Sequence, residues 1–498
     1  MITVLNKPIP FDGGIQLSPN KAISLKQPLK KAELPRLIRI PLDQHFGLHA
    51  SPTVNIGDRV LKGQIIASVE GGIIKPVHAT TSGIIKEIAE YPMPNSSLVI
   101  STCIVIEVDG NDKWIENREP IVDFNVLSRD KIQQKILKAG VIELDLNSNV
   151  NLLILNAAEC EPYVSCDEIL MRSYTKEIIT GAEILMYALQ SDECVIAIQN
   201  DKTVAINALQ EALDTNTKIN IKLRLISSLY PAGGKKQLTK SITGVELGTE
   251  CSLVDMGIVS FNISIAVAVK KAIIDDEPLV SRIVTITGPG INQPQNLEVL
   301  LGTSISEVIE QCGGYNDQYE YLIMGGPMMG IRLFDDDAPV IKITNCLLAA
   351  NSQFNKSKKE ESSCIRCGEC ASVCPVKLQP QQLYWHSKKS NFDRLLDYNL
   401  FDCIECGCCS YVCPSHINLV DEYRQIKNRI LNDGRRKSQA NENKQRYLDK
   451  QERIEKQRLD KRNKHLIVNN ESALKKKRDE IKKAVNRVKT KRKIKNNQ

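Results

Sequence analysis

Eight cysteines in two matched runs carry the strongest chemical signal in this chain of 498 residues. Cys364, Cys367, Cys370 and Cys374 read C-x2-C-x2-C-x3-C before Pro375, and Cys403, Cys406, Cys409 and Cys413 repeat the spacing before Pro414. Three thiolates at intervals of three wrap one tight loop around a corner of an iron–sulfur cubane. The fourth, just before proline, points away and ligates the neighbouring cluster where two such runs occur. The spacing therefore pairs Cys364, Cys367, Cys370 and Cys413 on one [4Fe-4S] centre, and Cys403, Cys406, Cys409 and Cys374 on the other. Zinc is the rival reading, but it favours two separated C-x2-C pairs. Cys408-Cys409 offers a choice of third ligand; the first run's spacing selects Cys409 and leaves Cys408 as a spare thiol. Arg366 favours the reduced, more negative cluster, while Glu369 and Glu405 oppose it, so the tuning has no net sign in the sequence.

The elements that must position these residues change character along the chain. Residues 35–110 alternate apolar and polar positions between Gly and Pro, which reads as β-rich. Within them Gly57-Asp58 and Gly71-Gly72 mark tight turns. The run from Val54 to Ile88 resembles barrel-sandwich domains related to lipoyl and biotinyl carriers. Where a carrier lysine would sit the sequence offers Val77-His78-Ala79, so a structural module is expected. His45, His49 and His78 are read as surface or packing residues ahead of metal ligands. Residues 125–275 follow a strand–helix rhythm: strands at 151–155, 194–198 and 222–226, and helices at 167–189 and 202–213. That rhythm implies a parallel sheet covered by helices, with ligands beyond the carboxyl ends of its strands. Asn156–Pro162 and Tyr230–Lys235 lie at such ends. A strand at 282–287, a capped short helix at 303–309 and a glycine-rich turn at 325–330 suggest a β-grasp module. A polar linker at 351–362 precedes the cysteine runs, which are joined by a helix at 380–396.

Bulk properties agree with a folded, modular protein. The hydrophobic fraction is 42 % and the mean hydropathy −0.22. The longest apolar run, Met256 to Val269, is shorter than the roughly 20 residues of a spanning helix and reads as a buried core helix. No secretory layout follows Met1, and the cysteines outside the two runs look like free thiols of a reducing compartment. The net charge of +7 is unevenly spread: residues 431–498 hold 24 Lys and Arg against 9 Asp and Glu, which leaves the rest of the chain acidic. The tail from Arg424 to Lys495 reads as a solvated or partly disordered charged helix, with Ile454 and Leu459 too sparse for a heptad. Contact with an anionic leaflet is its functional alternative; no aromatic interleaving or reading motif supports nucleic acid.

Asn156–Tyr163 (NAAECEPY), Tyr230–Gly234 (YPAGG), Gly325–Gly330 (GGPMMG), Gln379–Trp385 (QPQQLYW) and Asp402–Gly407 (DCIECG) together resemble the RnfC/RsxC family, the C subunits of the Rnf/Rsx ion-translocating oxidoreductase complex. The likeness runs from about Phe11 to about Lys427. The resemblance implies a peripheral subunit on the cytoplasmic face of the bacterial inner membrane, partnered by integral-membrane and membrane-anchored redox subunits. It also implies a central domain similar to the flavin- and NADH-binding subunit of respiratory complex I. On that likeness Glu159 and Glu161 orient FMN or NADH, and Gly233 and Gly234 let it approach. On the alternative, the carboxylates cap a helix and the glycines serve a turn. One departure counts against a bound nucleotide. Family members carry a loop of the type G-L-G-G-A-G-F-P-T before the Asn-x-x-Glu-x-Glu-Pro segment, whereas 137–149 here retain only Gly140, with Glu143 and Asp145 repelling phosphate.

The expected organisation is multidomain, α/β plus β: a barrel-sandwich module at 1–120, a parallel-sheet nucleotide-type domain at 121–278, a β-grasp (SLBB-like) module at 279–350, a helical two-cluster ferredoxin domain at 351–430 and a basic tail at 431–498. The expected role is an electron-transfer subunit of an ion-translocating oxidoreductase. A soluble iron–sulfur oxidoreductase without a membrane partner is the alternative, and a non-redox scaffold a third reading.

Overall fold

The structure, a computed structural model, describes residues 7, 9–43, 50–68, 76–94, 100–141, 150–215, 220–248, 251–354 and 360–495. His45, His49, Gly71, Gly72, Glu143 and Asp145 lie outside the described residues. The chain divides into two bodies, Met1–Arg424 and Gln425–Gln498.

Short strands open the first body: β1 (Lys30–Lys31), β2 (Leu37–Pro41), β3 (Ser51–Pro52), β4 (Arg59–Val60), β5 (Ile65–Ser68), β6 (Val77–His78), β7 (Gly83–Pro92) and β8 (Ile100–Val108). They form one sheet in the order β2-β8-β7-β4 and a smaller one in the order β3-β5-β6. Alternation places Ile38, Ile40, Ile104 and Ile106 in a shared core with Val60, Ile66 and Ile85. The turn before β4 holds Gly57 at φ 92°, and the Asp58 carboxylate accepts the Asn55 N–H at 2.7 Å. His78 is buried, and burial, reinforced by Lys342, pushes its pKa down to about 3; it is a packing residue.

The next section runs α1 (Arg129–Lys138), β9 (Leu152–Ala157), α2 (Cys166–Ser173), α3 (Thr175–Leu189), β10 (Glu193–Gln199), α4 (Thr203–Asp214), β11 (Ile221–Ile226), α5 (Lys235–Thr243), β12 (Ile258–Asn262) and α6 (Ile263–Lys270). All four strands are parallel, in the order β11-β10-β9-β12. Residues of β9 and β10 alternate between two cores. Leu153, Leu155, Ile196 and Ile198 pack with α1, α3 and α6, while Leu152, Ile154, Val195 and Ala197 face α5.

Two expectations fail here. The single helix over 167–189 is broken at Tyr174, whose φ of −123° leaves the helical range and whose hydroxyl donates to Glu298 at 3.2 Å. The apolar run from Met256 is not one core helix: its β-branched start pairs with β9 as β12, and only the remainder coils as α6. Apolar continuity alone does not separate a buried strand from a buried helix.

A mixed sheet follows, from β13 (Ser281–Thr287), β14 (Gln295–Leu300), β15 (Tyr321–Met324), β16 (Ile331–Leu333) and β17 (Cys346–Ala350), with α7 (Ile305–Glu310) against it. Its order is β1-β14-β13-β17-β15-β16, so the early strand β1 completes it. The cysteine runs then sit among α8 (Glu369–Ser372), α9 (Pro380–Lys388), α10 (Phe392–Asp397) and α11 (Cys408–Val412). The helix expected at 380–396 is interrupted where Ser390 takes a left-handed φ of 49° and Asn391 caps α10 by accepting the Arg394 N–H. The last helix, α12 (Leu419–Lys495), starts in the first body, and the described residues of the second are its continuation, helical to Lys495.

Candidate iron–sulfur centres and the strand-end crevice

Each cysteine run forms a loop closed by a short helix, α8 or α11, and ends at a cysteine beside proline. The fourth cysteines are exchanged. Cys364, Cys367, Cys370 and Cys413 line one small cavity; Cys374, Cys403, Cys406 and Cys409 line the other. Four cysteines line the first cavity and five, with Cys408, the second, so each offers at least the four sulfurs an iron–sulfur cluster requires and the residues fit two such groups. The backbone N–H of Leu378 donates to Cys374 Sγ at 3.3 Å, and Gln381 Oε1 lies 3.5 Å from Cys370 Sγ. Arg366 lies over Trp385, and Glu405 is paired with Arg424 at 3.0 Å. Pairing masks the charge of Glu405 from the cavity beside it. Cys408 also borders the second cavity, but its side chain is fully buried and packs with Ile15 and Tyr230.

The second cavity is joined to the central sheet. The Tyr230 hydroxyl donates to the Cys406 carbonyl at 2.6 Å, and Tyr230 and Ile15 exchange backbone hydrogen bonds. The Gly14 N–H reaches the Val373 carbonyl at 2.9 Å. Gly13 has φ 63°, and a Cβ there would lie 2.6 Å from Val373 O and 2.7 Å from Cys374 O, so only glycine lets the segment pass. Neither the tyrosine link nor the glycine pass is apparent from sequence. The position of Tyr230-Pro231 at a strand end is the one available signal.

The crevice beyond β9 and β10 holds Glu159 and Glu161. Glu159 is buried; its Oε1 accepts the Asp167 N–H at 2.8 Å at the start of α2, and its Oε2 pairs with Lys21 at 3.3 Å and Lys202 at 3.8 Å. Lys202 also pairs with Glu168 at 3.1 Å, and Arg172 with Glu168. Burial pushes the Lys21 ammonium down, whereas for Lys202 burial is outweighed by Glu159 and Glu168 and the pKa rises. Glu161 accepts the N–H groups of Met328 and Met329 at 3.1 and 2.8 Å. Burial pushes its pKa up to about 7 against those two donors. Lys21 stands where a ligand of such a sheet would be sought, and nothing in its local sequence pattern marks it.

As placed, Glu159, Glu161, Gly233 and Gly234 present no open flavin or nicotinamide contact, and residues 142–149, where the family's glycine-rich loop is sought, lie outside the described residues. Both carboxylates are already engaged by the chain's own N–H groups and ammonium groups. A Cβ on Gly233 would lie 2.3 Å from Ala158 O, and one on Gly234 2.4 Å from Gln237 Oε1, so both glycines abut protein. Gly140, at φ 68°, ends α1 by bonding back to the Leu137 carbonyl.

Four family models match in sequence order: the RnfC barrel sandwich hybrid domain at 9–111, the Nuo51 FMN-binding domain at 141–271, the SLBB domain at 283–332 and the 4Fe-4S dicluster domain at 363–417. The architecture is thus the expected barrel sandwich, α/β domain, SLBB module and iron–sulfur domain. Curated relatives, each named as the C subunit of an ion-translocating oxidoreductase complex, match most of the chain. The one from Yersinia enterocolitica is 40 % identical over 468 residues, covering 91 % of this chain and 66 % of that one. Those from Pasteurella multocida and Haemophilus influenzae (strain 86-028NP) are each 41 % identical, covering 88 % and 90 % of this chain and 53 % and 69 % of theirs. The chain thus spans between about half and about two thirds of the length of these relatives. With four domains matched in order and that identity over nine tenths of its length, the chain belongs to the RnfC family, the C subunits of ion-translocating oxidoreductase complexes.

Proposed function

We propose that this chain is a peripheral electron-transfer subunit of a membrane-bound complex that couples electron transfer at the NADH and ferredoxin level to ion translocation, on the cytoplasmic face of the bacterial inner membrane. One observation carries the reading: eight cysteines sort into two sets of four, with Cys374 and Cys413 exchanged between the runs. The proposed metal ligands are Cys364, Cys367, Cys370 and Cys413 at one site, and Cys374, Cys403, Cys406 and Cys409 at the other. A [4Fe-4S] cluster, when bound, supplies reversible one-electron storage. The chain's own groups would set how that storage is used. The Leu378 N–H stabilises negative charge on Cys374 Sγ, and the Tyr230 hydroxyl fixes the Cys406 backbone to the central sheet.

Among the described residues no helix is long and apolar enough to cross a membrane, and ion movement is assigned here to integral-membrane and membrane-anchored redox partners. Glu159, Glu161, Gly233 and Gly234 are proposed as scaffold that closes the strand ends, with electrons delivered by a donor held elsewhere. Module boundaries near 120, 278, 350 and 430, and lipid contact by the basic tail, belong to the same proposal.

Anaerobic reconstitution, followed by reduction with dithionite or with NADH, tests it. Two reduced-cluster signals with dithionite and none with NADH are expected. Zinc in place of iron, or a single cluster, would overturn the redox assignment, and reduction by NADH alone would overturn the scaffold role of the crevice. Purification from membranes without any integral protein would favour the soluble oxidoreductase instead.

A further inference from the structure

The helix of the second body changes character along its length. Between residues 432 and 464 its apolar side chains larger than alanine are sparse: the neighbours Tyr447 and Leu448, then Ile454 and Leu459. From Leu474 onward Leu474, Ile481, Val485 and Val488 recur at intervals of seven, four and three, with Ala484 beside them. On a helix of 3.6 residues per turn that spacing gathers them on one face, with Lys477 and Arg478 in the turn between Leu474 and Ile481. They are 59 %, 62 %, 47 % and 56 % exposed, so the face is open to water over about 21 Å of helix. The same stretch, 474–490, carries eight Lys and Arg against Asp479 and Glu480.

A narrow apolar strip edged by long basic side chains is the pattern of a helix that lies in a lipid–water boundary. The strip enters the acyl margin, lysine stems cover its edges, and the ammonium groups reach phosphate. Charge and apolarity together select among occupants. A second copy of the same helix would set net positive charge against net positive charge. A nucleic acid would meet the charge and leave the strip in water. An anionic bilayer answers both.

We propose that the face formed by Leu474, Ile481, Ala484, Val485 and Val488 seats the C-terminal helix on an anionic lipid surface. The assignment rests on the peripheral-membrane reading above for the source of the bilayer, and is independent of the clusters and of electron flow. Lying flat there, the segment would hold the chain at the membrane without spanning it.

Co-sedimentation of the full-length, cluster-loaded chain with vesicles of phosphatidylglycerol and phosphatidylcholine, and with phosphatidylcholine alone, tests the assignment. The combined variant Leu474→Gln, Ile481→Gln, Val485→Gln and Val488→Gln keeps every charge and good helix propensity. Binding to the anionic vesicles only is expected, weakening as salt rises, with a loss of about tenfold or more in the variant. Its helix content and iron content should match the parent. Val485→Leu with Val488→Leu should retain binding.

Unchanged vesicle binding by the glutamine variant would overturn the apolar contact and leave charge alone. Binding to duplex DNA, indifferent to the glutamines and without vesicle binding, would overturn it in favour of nucleic acid. A salt-resistant dimer lost in the variant would overturn it in favour of a second copy. If vesicle binding behaves as expected but no redox partners co-purify, the functional reading fails while this one stands.

Discussion

Ile365-Arg366-Cys367-Gly368 and Ile404-Glu405-Cys406-Gly407 follow nearly the same backbone path. Arg366 and Glu405 sit at φ 60° and 58°, Gly368 and Gly407 at 84° and 82°, and Lys377 and His416, three residues past each final cysteine, at 55° and 53°. The surroundings of the two loops differ. Cys367 is exposed and Ile365 is 67 % exposed, whereas Cys406, Cys408 and Cys409 are buried. The second loop packs on Tyr230 and Ile15 and lies beside the Met328 carbonyl, whereas the first run reaches that hydrophobic cluster through Val373 at its end. Local spacing thus dictates how a cysteine loop folds, and tertiary contact dictates which loop faces the protein and which faces outward. An outward site suits exchange with a partner, and an inward one suits a fixed environment with hydrogen bonds and burial tuning its potential.

The exchange of fourth cysteines is the point at which this comparison breaks most visibly. Cys374→Ala should remove a ligand from the inward site although Cys374 belongs to the outer run. Iron should fall from about eight to about four atoms per chain. Alkylation followed by mass mapping should then find Cys403 and Cys406 reactive while Cys364 and Cys367 stay protected. The opposite pattern would mean that each run ligates its own cluster.

Glu161 sharpens the contrast through pH, because its carboxyl acts on Cys406 of the inward site. Its folded pKa is raised to about 7, so the folded chain keeps a proton that the unfolded chain releases above the ordinary carboxyl range near 4.5. Its contribution to stability therefore falls as pH rises from about 4.5 to about 7, by up to about 3 kcal/mol. In Glu161→Gln that part of the slope should vanish when unfolding midpoints are compared across those pH values. A slope equal to the parent's would mean the carboxyl does not hold its proton in the folded state.

The cysteine loops were legible in the sequence because their geometry is local: two residues between successive thiols of each triplet and a proline after the fourth suffice. The β9–α–β10–α–β11 rhythm was legible for the same reason. What escaped depends on residues distant in the chain. The break at Tyr174 answers to Glu298, a residue of β14. β12 is a strand because β9 offers it a parallel edge. Lys21 enters the crevice from a segment with no regular structure, where it meets Glu159 from 138 positions away. Glu159 and Glu161 are recognisable as a strand-end pair, but their partners, Lys202 and the Met328 and Met329 N–H groups, come from other loops.

Tyr230→Phe removes one hydroxyl and should cost about 1 kcal/mol of stability, since the Cys406 carbonyl loses its buried donor. Both clusters should remain, with a potential change confined to the inward site in a redox titration. An equal change at the two sites would mean that the tyrosine does not discriminate between them.

The smallest effect is expected where the two runs differ in composition. The outer run has Glu369 at the position that Cys408 fills in the inner one, one residue before the third cysteine. Because Glu369 stands at the corresponding place, that position is not required to supply sulfur. Cys408 is fully buried and, like Cys406, packs with Ile15 and Tyr230. Serine is close in size to cysteine, so Cys408→Ser should keep about eight irons per chain and lower stability by about 1 kcal/mol through the buried hydroxyl. If iron instead falls to about four atoms, Cys408 is the third ligand, Cys409 is the packing residue, and the two loops do not share one ligand register.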